Sequence, residues 1–322
     1  MQQEFFPMAV SDFTNNNELI NVASVPQRSP FRYPGGKTWF VPTFRRWMKQ
    51  LTKRPSVLVE PFAGGATIAL TAVCENWVDH AVLIELDPDV AAVWQTIVAG
   101  DSPLLAQKIV GFDLSVDNVK AQLLCESCGH LDKAFKTILK NRTFHGGILA
   151  AGSGLIKSGE SGKGISSRWY PETLAKRLNA LHVVRDRLTI HCGDALTLSD
   201  SYIKDSQAAF FIDPPYTAGG KKAGKRLYTF FEIDHNALFD LCNNVSGEFV
   251  MTYDNADEVH ALAQVRGFDT RLIGMKNTHH AQMKELVIGR NLAWLDTTPS
   301  PLPSADLHTP DWPNNNRSAA SK

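Results

Sequence analysis

Six short apolar runs recur along this chain, and segments with a helical period separate most of them. The runs are 56–60 (SVLVE), 81–85 (AVLIE), 188–192 (LTIHC), 208–213 (AAFFID), 248–253 (EFVMTY) and 284–289 (KELVIG). Each is almost unbroken in Val, Ile, Leu, Phe and Ala, the pattern of strands covered on both faces. Segments 67–76, 89–98, 131–140, 171–187, 234–244 and 257–265 fit helices. Strand and helix in alternation predict an α/β fold with a largely parallel sheet between two helical layers.

One interval breaks the rhythm. The runs ending at Glu60 and Glu85 lie about 25 residues apart, but roughly 100 residues then pass before the run starting at Leu188. A crossover needs little more than a dozen, so a mainly helical subdomain is expected over residues 101–180, inserted into a sheet domain formed by 29–100 and 181–296. Residues 1–28, rich in Asn, Gln and Ser, read as a flexible arm. Pro, Ser and Asn dominate 297–322, which predicts a disordered tail with too little apolar surface to offset its ordering entropy.

Composition narrows the function classes. Of 322 residues, 43% are hydrophobic and 20% charged, a balance that supports a core without disulfide or metal staples. No run approaches the roughly 20 apolar residues of a membrane span, and the acidic N-terminus lacks the features of a signal peptide. A cytoplasmic protein away from membranes is the expectation, and an odd count of five cysteines fits a reducing compartment. Cys125 and Cys128, with His130 nearby, supply half a zinc site. The second pair at the usual spacing is missing, so no metal is expected.

Two glycine-containing elements and one tetrapeptide carry the chemistry. Phe31-Arg-Tyr33-Pro-Gly-Gly-Lys37-Thr38 ends in Gly-Lys-Thr, but a phosphate loop needs Gly where Phe31 stands, and a strand before it. The turn Glu60-Pro-Phe62-Ala-Gly64-Gly65-Ala66-Thr67 follows the first strand directly, which lets a ligand approach the backbone and the next helix N-terminus. Glu85, at the end of the next strand, stands where ribose hydroxyls need an acceptor, with Asp87 as second candidate. Asp213-Pro214-Pro215-Tyr216 leaves the strand AAFFI. Two prolines remove two N–H donors and hold the backbone extended, leaving outward carbonyls between a carboxylate and an aromatic ring. Such a group suits a flat, amine-bearing substrate. Asp213 and the Pro214 carbonyl can accept both amine hydrogens while Tyr216 stacks on the ring, exposing the nitrogen lone pair for attack on a methyl group.

With RYPGGK (32–37), VEPFAGGAT (59–67), LIELDPD (83–89), NRTFHGGI (141–148), CGDA (192–195), DPPY (213–216) and KELVIGRN (284–291) in this order, the chain resembles the Dam-like DNA adenine methyltransferases. Tyr33 stands where that family commonly has Trp, and Gly64-Gly65-Ala66 replaces a frequent Gly-Ala-Gly. The resemblance implies a Rossmann-like methyltransferase sheet whose last strand is antiparallel, S-adenosylmethionine as methyl donor, and the N6 amine of a flipped adenine in double-stranded DNA as acceptor, with no obligatory protein partner. It places Tyr33 and Lys37 in the donor site, Lys37 on the methionine carboxylate. Glu60, Phe62 and Gly64 would line the methionine end, Glu85 would hold the ribose, and Asp194 would reach the cofactor adenine. Asp213, Pro214, Pro215 and Tyr216 would form the catalytic site.

Charge distribution agrees with a nucleic-acid partner although the formal net charge is zero. Residues 28–54 hold eight Lys or Arg and no acid, 140–187 nine against three, and 217–232 four against one, whereas 75–132 hold ten acids against two bases. Reaching an adenine amine requires flipping the base out of the duplex. Arg142 and Arg168 in the insertion are candidate DNA contacts. Lys221, Lys222, Lys225 and Arg226 would grip phosphates from the loop after DPPY. Methylation of RNA adenine or of a protein amide, and a non-catalytic DNA-binding relative, are the alternatives.

Overall fold

A computed structural model describes residues 25–216, 226–276 and 282–296. Of the arm expected over 1–28, residues 1–24 lie outside the described residues, as do the tail from 297 and Lys221, Lys222 and Lys225, whereas Val25 and Arg28 are buried and Arg28 pairs with Glu75 at 2.9 Å, so the arm ends earlier than expected.

All six apolar runs are strands of one seven-stranded sheet. In chain order these are β1 (Val57–Glu60), β2 (His80–Glu85), β3 (Leu188–Cys192), β4 (Ala208–Ile212), β5 (Glu248–Tyr253), β6 (Asp269–Lys276) and β7 (Gln282–Gly289). Their spatial order is β3-β2-β1-β4-β5-β7-β6. The first five are mutually parallel, and β7 runs antiparallel to both β5 and β6. This is the Rossmann-like methyltransferase sheet that the resemblance implies. One strand escapes the apolar-run criterion. β6, DTRLIGMK, lies at the sheet edge beside β7 alone and mixes charged with apolar residues, as an edge strand does.

Successive strand residues face opposite layers. Leu58, Leu83, Ala209, Phe211, Val250 and Val287 belong to one buried cluster, and Val59, Ile84, Phe210, Ile212, Met251 and Ile288 to the other. The first cluster packs under α1 (Val41–Gln50), α2 (Thr67–Cys74) and α3 (Pro88–Val98), and continues without a break into α4 (Ser102–Val110), α5 (Val116–Leu124), α6 (His130–Thr143) and α7 (Pro171–Val184). The long interval is therefore helical, and it shares its core with one face of the sheet. Its α6 also reaches α3 through Thr137 Oγ1, which donates to the Asp89 carbonyl at 3.1 Å. The second cluster lies under α8 (Ala195–Leu198), α10 (His235–Asn244) and α11 (Asp257–Val265), with α9 (Asp200–Ile203) following α8. Among the described residues no helix is long and apolar enough to cross a membrane.

The strand order determines where a ligand can sit. From β1 the chain builds outward through β2 to β3, then crosses back to place β4 on the other side of β1. A crevice opens at such a reversal, beyond the carboxyl ends of the two strands. Here those ends are Glu60-Pro-Phe and Asp213-Pro-Pro, brought side by side by the register Val57–Ala208 to Val59–Phe210. The approach of β5 to β4 depends on Gly247, whose missing Cβ would fall 1.8 Å from the Ala208 carbonyl oxygen. Gly247→Ala should destabilise the fold by about 3 kcal/mol, measured as a lower urea midpoint at unchanged slope.

Candidate active site

The cavity at the β1/β4 crevice has a volume of about 170 Å³ and is lined by both glycine elements, the ends of β1, β2 and β4, and residues 228–234. Its floor is a buried charge cluster. Lys37 Nζ lies 2.9 Å from Asp213 Oδ1 and 3.3 Å from Glu285 Oε1, and donates to the Gly35 carbonyl at 3.1 Å. Tyr216 donates its single hydroxyl hydrogen between Asp213 Oδ1, at 2.9 Å, and Glu285 Oε1. Thr252 Oγ1 also donates to Asp213 Oδ1 at 2.9 Å. Three partners thus converge on one oxygen of Asp213, and Oδ2 has no protein partner among the described residues. The carboxylate is locked in orientation with an oxygen left for a ligand.

The cluster is possible because of the sheet. Lys37 opens a short helical turn, Lys37–Phe40, whose Phe40 packs on Phe211 of β4 at 5.4 Å. Thr252 stands next to the end of β5. Glu285 arrives because β7 is antiparallel, which carries its early residues to the carboxyl end of the parallel strands. Burial opposes the charge on Lys37, but Asp213 and Glu285 outweigh it and the ammonium titrates above the ordinary lysine range. Glu285 was not singled out in the sequence. Its run, KELVIG, carries a charged residue inside an apolar strand, the one signal that marks it.

Lys37, expected on a cofactor carboxylate, spends its donors here on Asp213, Glu285 and the Gly35 carbonyl. Tyr216 does not line the cavity. Its ring stacks on Tyr253 at 5.2 Å and 23°, and Lys37 Nζ stands 5.0 Å from its centroid. The aromatic surfaces facing the cavity are Phe62, Tyr33, Tyr228 and Phe230, the last 45% exposed. Tyr33 covers the second glycine turn. A Cβ on Gly64, where φ is +45°, would meet its ring at 2.6 Å, so the glycine there admits Tyr33. Tyr228 stacks on the other side of Tyr33 at 5.9 Å and donates to the Pro34 carbonyl at 3.1 Å.

The acids of the glycine turn are turned onto the backbone. Glu60 accepts from the Ala69 amide at 2.7 Å, and burial raises its carboxyl well above the usual range. Glu85 accepts from the Gly64 and Asp87 amides, both at 2.8 Å, which pins the turn to the end of β2. Each Glu85 oxygen keeps a second lone pair that a hydroxyl can use. Asp87 caps α3 and Asp194 caps α8 through the Asp89 and Thr197 amides. With Asp87, Asp194 and Asp213 around it, the cavity favours a cationic ligand. The N-cap of α2, Ala66, has no side-chain acceptor and Glu60 takes the Ala69 amide, so the Thr67 and Ile68 amides are left to meet an anionic group.

The insertion corrects one DNA candidate. Arg142 is 4% exposed and donates to the Pro30 carbonyl; burial, with Arg177 and Arg32 nearby, lowers its guanidinium to about 9. It anchors the segment before the first glycine element and cannot reach a base edge. Arg177 does the same through the Ser29 carbonyl at 3.0 Å. Arg168 is partly exposed and close to Arg32. Arg226 opens the segment that returns to the cavity wall, and Cys125 and Cys128 are exposed free thiols.

No protein-family model matches the chain, and no curated protein matches its sequence. Among solved structures it is similar to the rRNA methyltransferase AviRa from Streptomyces viridochromogenes, with 15% identity over 83% of this chain and 90% of that one at a TM-score of 0.40. It is also similar to precorrin-6y C5,15-methyltransferase from Geobacter metallireducens, with 10% identity over 77% and 86% at a TM-score of 0.32.

Burial raises the Glu85 carboxyl to about 7 from 4.5. A folded value above the unfolded one means that stability is complete below pH 4.5 and falls as pH rises through about 7. Glu85→Gln should remove this dependence, on the order of 3 kcal/mol, and urea unfolding at pH 4.5 and pH 8 checks it.

Proposed function

We propose that this chain is an S-adenosylmethionine-dependent methyltransferase whose acceptor is the N6 amine of adenine in DNA. The observation that carries the reading is the locked Asp213 carboxylate at the switch point of the sheet, which lines the cavity together with Pro214 and whose Oδ2 has no protein partner among the described residues. When bound, S-adenosylmethionine supplies an electrophilic methyl group on a cationic sulfur. Asp87, Asp194 and Asp213 around the cavity would favour that cation and the ammonium of its amino acid part, the Thr67 and Ile68 amides would meet the carboxylate, and Glu85 would accept from hydroxyls.

The residues of the chain then act on the acceptor. Asp213 Oδ2 and the Pro214 carbonyl accept the two amine hydrogens. These hydrogen bonds draw electron density onto nitrogen and favour the tetrahedral form that attacks a methyl group. Lys37, Tyr216 and Thr252 hold Asp213 so that no reorientation is needed while the methyl group is transferred. Phe230 offers an exposed aromatic face on which a flipped base can stack. Lys221, Lys222, Lys225 and Arg226, just before it in sequence, would hold phosphates, and Arg168 is the remaining candidate contact from the insertion.

The test incubates the protein with S-adenosylmethionine and unmethylated duplex DNA and maps modified adenines by single-molecule sequencing. Methylated adenine at a defined sequence is expected. Transfer to RNA or protein with none to DNA overturns the acceptor and retains the methyltransferase. Asp213→Ala should lower transfer at least about 100-fold while cofactor binding persists. Replacing Lys221, Lys222, Lys225 and Arg226 with Ala should weaken DNA binding and flatten its dependence on salt, measured by fluorescence anisotropy across a salt series.

A further inference from the structure

Glu285 has no part in the steps above, yet it is a full member of the cluster. Its Oε1 is held by Lys37 and by the Tyr216 hydroxyl, and that hydroxyl also lies 2.9 Å from Asp213 Oδ1. A phenol has one hydrogen, so Tyr216 can donate to only one of the two carboxylates at a time. Lys37 neutralises one of the two negative charges. The cluster is thus one proton short of charge balance. Glu285 is 5% exposed, and its second oxygen, Oε2, is buried with no hydrogen-bond partner among the described residues. A buried, half-unpaired carboxylate is costly and is relieved by taking a proton.

We propose that Glu285 takes up the proton released when the acceptor amine is methylated, reached from Asp213 through the Tyr216 hydroxyl. The reaction itself rests on the functional reading above. Methylation leaves the amine nitrogen with one hydrogen too many. That N–H bond breaks, its electron pair stays on nitrogen, and the proton passes to Asp213. Protonation removes the charge that held Oδ1 to Lys37, so once the methyl group has been transferred a half-turn of the now neutral Asp213 carboxyl brings the new O–H to Tyr216. Tyr216 Oη takes this proton while its own passes to Glu285 Oε1. Asp213 and Tyr216 return to their starting forms, and Glu285 is left neutral until it loses the proton to solvent on product release.

The surroundings of Glu285 suit it to this task. Burial raises its carboxyl, Lys37 pulls it back and Asp213 pushes it up again, leaving it above the ordinary carboxylate range. The groups facing it are Lys37 from the first glycine element, Asp213 and Tyr216 beyond β4, and Tyr228 across the cavity. The assignment also gives the inward-turned Tyr216 a function that its lack of a face on the cavity would otherwise deny it.

The experiment compares wild type with Glu285→Gln, recording kcat and KM for duplex DNA against pH and cofactor affinity by calorimetry. In parallel, the glutamate carboxyls of the free protein are titrated by carbon-13 NMR. In the free wild type the glutamate signals that titrate above the ordinary range, those of Glu60 and Glu85 among them, should include one that vanishes in Glu285→Gln and moves in Tyr216→Phe. In turnover, Glu285→Gln should lower kcat by about 100-fold, leave KM and cofactor affinity within about twofold, and abolish the acid limb of the kcat profile. Glu285 titrating as an ordinary carboxylate, or an acid limb that survives in Glu285→Gln, overturns the assignment. A wild type inert toward every acceptor overturns the functional reading instead, and the NMR titration still decides where the proton rests. Should Glu285→Gln fail to fold, Tyr216→Phe keeps the ring, removes the relay together with one of three contacts on Asp213, and must both slow turnover to a similar extent and abolish the acid limb of the kcat profile.

Discussion

A single ammonium ties the site together. Lys37 joins the first glycine element to β7, 248 residues away in sequence, and to the end of β4. Placing one cation between two buried carboxylates is favourable only when the geometry is good and every remaining donor is used. Lys37 meets that condition with Asp213, Glu285 and the Gly35 carbonyl. Removing it would leave two carboxylates facing each other in the interior, so the position of the glycine element and the orientation of Asp213 are fixed by the same contact.

The sheet explains why these groups meet at all. Parallel strands bring their carboxyl ends to one side, and the reversal of order at β1 opens a crevice there. An antiparallel β7 then delivers Glu285, an early residue of its strand, to the same side. Around this floor the chain spends its other acids on the backbone. Glu60 and Glu85 secure α2 and the glycine turn, and Trp94 Nε1 donates to the Gly64 carbonyl at 2.9 Å from below. The cavity is therefore preorganised, with a rigid lower wall and an upper wall formed by residues 228–234.

Much of this was legible in the sequence, for reasons that differ between elements. Runs such as AAFFI and VLVE announce themselves because strands covered on both faces tolerate little polarity. β6 does not, because one neighbour and one solvent-facing edge permit Asp269 and Arg271 among its apolar residues. DPPY and EPFAGG both follow strands of the switch point and line one cavity, a neighbourhood that their positions after apolar runs announce. The side-chain directions were not legible. Lys37, Tyr216 and Glu285 meet through contacts distant in sequence, and no local pattern states that Tyr216 faces Glu285 instead of the cavity. Arg142 shows the same limit, because a basic residue in a basic segment reads as a surface contact until packing places it under Pro30.

The central claim is that the crevice between β1 and β4 is a preformed site for the methyl donor. Calorimetric titration with S-adenosylhomocysteine, which binds without transferring a methyl group, tests it most directly when wild type and Glu85→Ala are compared. One molecule per chain should bind wild type, and Glu85→Ala should bind at least about tenfold more weakly through loss of a charge-assisted hydrogen bond. Absence of binding to wild type, or equal affinity in the two proteins, would contradict the account.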